Sequence, residues 1–184
     1  NYATIVYATY TDAIEKAQTL KSTIQTFLNN PTEAGLTSCR NAYIASRTPY
    51  ELSEAFRFYG GPIDDDNGKE GLINSWPLDE VYIDYVEGKD NAGIINNVDS
   101  FPTINQTLLE ELNGKDGEAN VSTGYHAIEF LLWGQDLSAT GPGNRPYTDY
   151  VTGGSGTAKN QARRAQYLQA VIDLLISDLQ YTAD

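Results

Sequence analysis

Apolar residues recur at alternating steps of four and three near both ends of the chain, which is typical of helices packed in a bundle. In the first segment they are Val6, Tyr10, Ala13, Ala17, Leu20, Ile24 and Phe27. In the last, which runs from 158 to 181, they are Ala165, Leu168, Ile172, Leu175 and Leu179. No strand-like alternation competes with these two stripes. The sequence therefore predicts an all-α fold, an up-and-down helical bundle with long irregular connecting loops.

Turn-forming residues divide the middle of the chain. The Asn-Asn-Pro run at 29–31 ends the first helix, and a second helix follows it. Thr48-Pro49-Tyr50-Glu51 resembles a capping box with proline at the first helical position, so we expect the second helix to break at Thr48. Glycine, proline and acidic residues then predict irregular connections over 59–77 and 134–157, with short helices over 78–86 and 103–112.

Composition limits the class of protein and its partners. The length of 184 residues suits one helical-bundle domain over 1–184, and 12 basic against 25 acidic residues give a net charge of −13. Such a surface repels phosphate backbones, so nucleic acid is not expected as a partner. No apolar run is long enough for a transmembrane segment. The lone Cys39 excludes an intrachain disulfide and lies on an apolar stripe, where a small core residue is expected.

The segment STGYHAIEFLLWG, 122–134, holds the only histidine of the chain. Residues three and four apart share one face of a helix, so His126, Glu129, Phe130 and Trp133 form one stripe. We expect this stripe to face the interior, because two of its members are large aromatic residues. A buried carboxylate without a partner costs several kcal/mol by rough estimate, so Glu129 is expected to have one.

A metal ion is one such partner. Ser122 or Thr123 is expected to cap this helix, which places His126 in the first turn, where the positive helix end favours the neutral imidazole that ligates metals. Further ligands would have to be carboxylates, tyrosines, waters or groups of another chain; candidate carboxylates are Glu54, Asp79 and Asp84. Iron, zinc and calcium are not distinguished by these residues. The alternative is a purely structural His–Glu pair.

Two further residues have open roles. Arg57 lies three residues after Glu54, so it either forms a local salt bridge with it or turns inward to neutralise Glu129 or an acidic ligand. Trp76, followed by Pro77, closes a glycine-rich stretch and is expected to plug one end of the bundle. The zinc-peptidase motif H-E-x-x-H, a second E-x-x-H for a di-iron site and a phosphate-binding loop are all absent from the sequence.

Several ordered segments together resemble the imelysin-like family of iron-regulated proteins. GYHAIE at 124–129 matches the family signature G-x-H-x-x-E, and EAFRF at 54–58, GGPID at 60–64 and INSWPLDEVYID at 73–84 resemble its other blocks. By position, Gly124, His126 and Glu129 correspond to the signature. Residues that the resemblance marks more weakly as pocket residues are Glu54, Arg57, Trp76 and Asp79.

The resemblance implies an exported bacterial cell-envelope protein, either periplasmic or a lipoprotein with a lipid anchor upstream of the chain, that is associated with iron acquisition. It implies binding of a metal ion or an iron-containing ligand at the G-x-H-x-x-E site. Alternatives are a metal-dependent peptidase, since some members are described in that way, and a non-catalytic interaction module. Family members usually carry a second helical bundle that meets the first at the site. We therefore expect this chain to be one half of such a protein, with an apolar face turned towards a second bundle from the same precursor or from another chain.

Overall fold

The computed structural model describes residues 1–58, 60–61, 63–65 and 67–184. Tyr59, Pro62 and Asp66 of the predicted 59–77 connection, of which Pro62 also belongs to the GGPID block, lie outside the described residues. The described chain forms eight α-helices and two 3₁₀ helices and contains no β-strand. The α-helices are α1 (Tyr2–Asn29), α2 (Glu33–Glu51), α3 (Glu70–Ile73), α4 (Glu80–Ile83), α5 (Gly93–Asn96), α6 (Gln106–Leu112), α7 (Gly124–Trp133) and α8 (Gln161–Ala183). The 3₁₀ helices are Leu52–Phe56 and Tyr147–Tyr150.

Four helices form the core of the bundle. Helix α1 packs along α2 and α8, and α7 packs against α8 and α2. The buried residues of α1 are those of the predicted stripe, with Ile14 added. On α8 the predicted residues Leu168, Ile172, Leu175 and Leu179 are likewise buried. The all-α prediction is therefore confirmed.

Helix α2 does not break at Thr48, and that prediction is wrong. The helix continues through Pro49 to Glu51, and the Thr48 hydroxyl donates to the Ile44 carbonyl at 3.1 Å. Proline costs an intrahelical hydrogen bond, but the helical register buries the Tyr50 ring, whose centroid lies 5.0 Å from that of Tyr125. The gain from burying this aromatic ring outweighs the bond lost at Pro49.

The two long connections are less irregular than expected. Helix α3 lies inside the predicted 59–77 connection and the 3₁₀ helix Tyr147–Tyr150 inside the 134–157 connection. The short helices predicted over 78–86 and 103–112 correspond to α4 and α6, and α5 lies in a segment where no helix is predicted. Side chains of both connections, and of α6 and α5, pack against α8. The connections therefore pack on the core and do not extend into the solvent as irregular loops.

A buried cluster of four charged side chains joins the end of α4 and the 134–157 connection to α8. Arg164 of α8 contacts Asp84 at 2.7 Å, and Arg145 contacts Asp84 and Asp149 at 2.9 Å each. All four side chains are at most 1% exposed. Two positive and two negative charges compensate one another in this cluster, so it can fix the segment before Tyr147–Tyr150 without leaving an unpaired buried charge.

No helix within the described ranges is long and apolar enough to cross a membrane.

Candidate functional site

Gly124 sets the position at which α7 begins. Its φ is +77°, and a Cβ atom at this position would lie 2.3 Å from the carbonyl oxygen of Ile73. Only glycine tolerates both the left-handed backbone and this close approach. The first residue of the G-x-H-x-x-E signature therefore brings α7 into direct contact with the end of α3.

The hydroxyl groups before α7 join it to other helices. Thr123 occupies the N-cap position but makes no side-chain capping bond; its hydroxyl donates to Leu72 O at 2.8 Å. The Ser122 hydroxyl donates to Leu109 O at 2.7 Å. The expectation that one of these hydroxyls caps the helix is wrong, because the neighbouring backbone carbonyls offer buried acceptors instead.

His126 and Glu129 lie side by side on α7. The His126 Nδ1 atom is 3.4 Å from Glu129 Oε2, and the same oxygen accepts a hydrogen bond of 3.2 Å from the Tyr43 hydroxyl of α2. The His126 side chain is 18% exposed and that of Glu129 is 51% exposed. His126 and Glu129 are therefore adjacent, and Glu129 has hydrogen-bonding partners, as expected. The expectation that the Glu129 carboxylate faces the interior is wrong.

The exposure of Glu129 follows from the other faces of α7. The buried side chains of this helix are those of Tyr125, Ala127, Ile128, Phe130, Leu131 and Leu132. These residues take every protein-facing position, so the remaining side of the helix, which carries His126 and Glu129, borders the solvent.

The contacts of Glu129 favour its ionised form. The interaction with His126 is the largest influence and lowers the pKa of the Glu129 carboxyl below its ordinary value, and the Tyr43 hydroxyl and the charge of Arg47 act in the same direction. Partial burial opposes them. The site therefore presents a carboxylate at neutral pH.

Around this pair lies an open cavity of about 800 Å³. All four members of the predicted stripe line it. The other lining residues are Tyr43, Ile44, Trp76, Leu78, Glu80, Gly134, Asp136, Pro142 and Gly143. A volume of this order is that of a small-molecule site, larger than a single ion needs.

Trp76 belongs to this cavity and does not plug the end of the bundle as expected. Its ring centroid lies 5.0 Å from that of His126, and the residue is 68% exposed. The segment that follows α3 carries it there, because α3 abuts the start of α7 through Gly124. An exposed tryptophan beside an imidazole provides a flat apolar surface for a ligand.

The structure does not bring Glu54, Arg57 and Asp79 to the cavity. Glu54 is exposed on the 3₁₀ helix Leu52–Phe56, and Asp79 caps α4 by accepting from Val81 N at 3.1 Å. Arg57 is buried and pairs with Glu70, so both predicted partners, Glu54 and Glu129, are wrong. The cation whose charge acts on Glu129 is Arg47 of α2.

Asp84, another predicted carboxylate ligand, is bound by two arginines in the buried cluster. Burial alone would raise its pKa, but the hydrogen bonds from Arg164 and the charge of Arg145 outweigh that effect and hold the pKa below its ordinary value. Within the described ranges, no group of three or more His, Cys, Asp or Glu residues is arranged to hold a metal ion. His126 and Glu129 are thus a pair without a third protein ligand of these types in that part of the chain.

Sequence reasoning missed three polar residues of the cavity: Tyr43, Glu80 and Asp136. The Tyr43 hydroxyl reaches Glu129, but Tyr43 lies on α2, 86 positions before Glu129 in the sequence. Glu80 lies on α4, and Asp136 lies in the 134–157 connection. Glu80 directly follows Asp79, which was the predicted ligand. The hydrophobic pattern of so short a helix does not indicate which of these two carboxylates caps the helix and which faces the cavity.

Comparisons with known proteins agree with the sequence resemblance. The family model for imelysin, peptidase M75, matches residues 6–184. The curated iron-regulated protein A of Synechococcus elongatus is 33% identical over 75 residues, which is 41% of this chain and 20% of that protein. A crystal structure of a candidate iron-regulated protein A precursor from Parabacteroides distasonis has a TM-score of 0.61 and 23% identity, and the match covers 98% of this chain and 42% of that one.

The chain thus spans about a fifth of the curated relative and less than half of the solved structure, whose low identity supports the fold alone. The family model, in contrast, covers nearly the whole sequence, including the glycine, histidine and glutamate around which the cavity is built. The chain belongs to the imelysin family.

Proposed function

We propose that this chain is part of a bacterial cell-envelope protein of iron acquisition, and that the cavity beside His126 binds a metal ion or an iron-containing ligand. Family membership and the relative named iron-regulated protein A support the link to iron. A periplasmic or lipid-anchored position is a proposal of the same kind and rests on the resemblance.

The observation that carries the proposal is the direction of the imidazole ring. The Nδ1 atom of His126 faces Glu129, so a proton that Nδ1 donates to this carboxylate would leave the lone pair of Nε2, on the opposite edge of the ring, free to bind an ion. Metal-binding histidines commonly donate their second ring nitrogen to a carboxylate in this way. Glu129 would then orient His126, while Nε2 contacts the ion.

The size of the cavity favours an ion that arrives with ligands of its own. His126 and Glu129 supply few donor atoms, and no third residue of the usual metal-binding types joins them in the described part of the chain. A cavity of about 800 Å³ with aromatic walls accommodates an organic chelate around an iron ion. A ligand of this kind fits the site better than a bare zinc or calcium ion does.

Metal content and titration test the proposal. Protein purified without oxygen is titrated with Fe²⁺, Zn²⁺, Ca²⁺ and ferric citrate, and bound metal is measured by mass spectrometry after dialysis. We expect His126→Ala to abolish stoichiometric iron binding and Glu129→Gln to weaken it on the order of 10–100-fold. Glu111→Gln is the matched control, since Glu111 is exposed and does not line the cavity. If Glu129→Ala only lowers the melting temperature, the pair is structural.

A metal-dependent peptidase is the second candidate, favoured by the peptidase description of the matching family model. Such an enzyme needs a metal-bound water and a base near it. Hydrolysis of a fluorescent casein with and without chelator tests this candidate, with His126→Ala as the control. Activity that survives both the chelator and the substitution would exclude the site from the reaction.

A third candidate, an interaction module, rests on exposed apolar side chains at the rim. Ile44 is 57% and Trp76 68% exposed, and both line the cavity. We propose that a second helical bundle, from the same precursor or from another chain, packs against this side. Photo-crosslinking from position 44 in the full-length protein would identify it, and a crosslink to no other helical segment would contradict this candidate.

A further inference from the structure

The walls of the cavity combine aromatic rings with carboxylates. Five rings line it, namely those of Tyr43, Trp76, His126, Phe130 and Trp133, together with the carboxylates of Glu80, Glu129 and Asp136. Among the described residues that line the cavity, none is a lysine or an arginine. Aromatic faces and carboxylates both attract positive charge and do not attract anions.

Two of the carboxylates, those of Glu80 on α4 and Asp136 in the 134–157 connection, lie close together in the cavity wall. Glu80 accepts a hydrogen bond from the backbone of Asp136, and the Asp136 side chain accepts from Ser138 N at 2.9 Å. Partial burial is the main cause that raises the pKa of Glu80, and the negative charge of Asp136 adds to it. A cation between them would relieve this repulsion.

The arginines near the cavity are already engaged. Arg47 contacts Glu51 at 3.3 Å. Arg40 lies 5.8 Å from the centre of the Trp133 ring and donates to the carbonyl oxygens of Leu132 and Arg145. The contact between Arg40 and Trp133 is an example, within this protein, of a cation next to an aromatic ring that lines the cavity. No lysine or arginine among the described lining residues cancels the local excess of carboxylates, although the charge of Arg47 acts on Glu129 and that of Arg145 acts on Glu80.

We propose that the cavity selects ligands that carry a positively charged amine beside an apolar body, and that an iron chelate bound there is cationic rather than anionic. This inference rests on the proposed function for its iron-containing ligand and adds the charge of that ligand. The ammonium group lies against the Trp76 face and the Glu80–Asp136 wall, while the apolar body covers Ile44 and Leu78.

The two tryptophans of the chain, Trp76 and Trp133, both line the cavity, so intrinsic fluorescence reports binding at this site. The first pair of probes contains no iron: benzyltrimethylammonium and the anion phenylmethanesulfonate, which share the ring and differ in charge. We expect the cation to bind at least about tenfold more tightly at low ionic strength. Equal affinity, tighter binding of the anion, or no binding of the cation would overturn the inference.

A second pair separates a cationic iron chelate from the organic cation alone. Ferrioxamine B carries a free ammonium group, and its N-acetyl derivative is the same ferric chelate without that charge. We expect acetylation to weaken binding about tenfold. If both ferric chelates bind equally well, the proposed binding of an iron-containing ligand stands and the charge selectivity fails. If only benzyltrimethylammonium binds, the selectivity stands and the iron ligand fails.

The double variant Glu80→Gln/Asp136→Asn tests the origin of the selectivity. Both changes keep the shape and one acceptor oxygen of each side chain but remove two charges, and we expect the preference for the cation to fall to about threefold or less. Asp12→Asn/Glu15→Gln is the matched control, because it changes the net charge equally at exposed positions of α1 that do not line the cavity. An equal loss in the control variant would show that net charge alone causes the preference and would overturn the inference.

Discussion

Tyr43 of α2 donates a hydrogen bond of 3.2 Å to Oε2 of Glu129 on α7, 86 positions later in the chain. The same oxygen faces His126 Nδ1. The tyrosine ring is buried, packed against Trp133 at 5.3 Å between centroids and against Tyr125 at 6.1 Å. A rigid core residue therefore fixes the carboxylate that orients the imidazole.

Removing that hydroxyl should alter the site more than the fold. Tyr43→Phe keeps the ring packing and leaves Glu129 with one partner fewer, so we expect the pKa of the Glu129 carboxyl to rise towards its ordinary value. Because the carboxylate is half exposed, the loss of unfolding free energy should be at most about 1 kcal/mol. Carboxyl ¹³C NMR across a pH titration measures the pKa. An unchanged pKa would mean that the hydroxyl does not contribute.

The close contact of Gly124 with Ile73 predicts a larger effect on stability. Gly124→Ala adds a Cβ at positive φ and 2.3 Å from a carbonyl oxygen, and we expect it to lower the unfolding free energy by about 2–4 kcal/mol. Urea denaturation followed by circular dichroism measures the change. Gly114→Ala is the matched control, since Gly114 has a φ of +74° but no neighbouring atom within 4 Å. Equal losses in both variants would show that backbone strain alone is responsible.

Long periodic helices were predictable, and the partners of individual charged residues were not. The predicted apolar stripe of α1 matches its buried face, because over 28 residues the helical repeat is clear even where single positions depart from it. The His126–Glu129 contact was predictable because it lies within one helical turn. Arg57, in contrast, contacts Glu70 of α3 and not a residue of its own helix. This contact depends on the path of the chain between the 3₁₀ helix Leu52–Phe56 and α3, which the local sequence does not indicate.

The exposure of Glu129 and the buried charge cluster were not predictable either, because both depend on contacts between segments that are distant in the sequence. The helix α7 is apolar on nearly every side, so its periodicity did not indicate which side borders the solvent. Asp84 and Arg164 are separated by 80 positions. Only the packing of the connections on α8 brings them together, and a single sequence carries no local signal for that contact.

The buried charge cluster predicts a strong dependence on Asp84. Asp84→Asn leaves Arg145 and Arg164 with one carboxylate, Asp149, between them, so we expect a loss of about 3–5 kcal/mol of unfolding free energy. Thermal and urea unfolding measure it. As a control, Asp173→Asn removes a partly exposed pair with Lys21 and should cost about 0.5 kcal/mol. Comparable costs for the two variants would contradict the role assigned to burial.

Asp178 of α8 predicts the pH dependence of stability. Its side chain is 4% exposed and lies 3.6 Å from Lys69 Nζ, and its Oδ2 atom has no hydrogen-bond partner in the described structure. Burial raises the pKa of this carboxyl to about 6, although the charge of Lys69 opposes the rise. Its ordinary value, which applies to the unfolded chain, is about 3.9.

The folded protein therefore binds a proton at Asp178 more tightly than the unfolded chain does between about pH 4 and pH 6. This contribution to stability is complete below the unfolded pKa and is lost as the pH rises through the folded one. It amounts to about 2–3 kcal/mol. Asp178→Asn removes it, so urea unfolding at pH 4 and pH 7 should show the wild type losing that much more stability than the variant over this interval. Parallel pH profiles would show that Asp178 titrates normally in the folded protein.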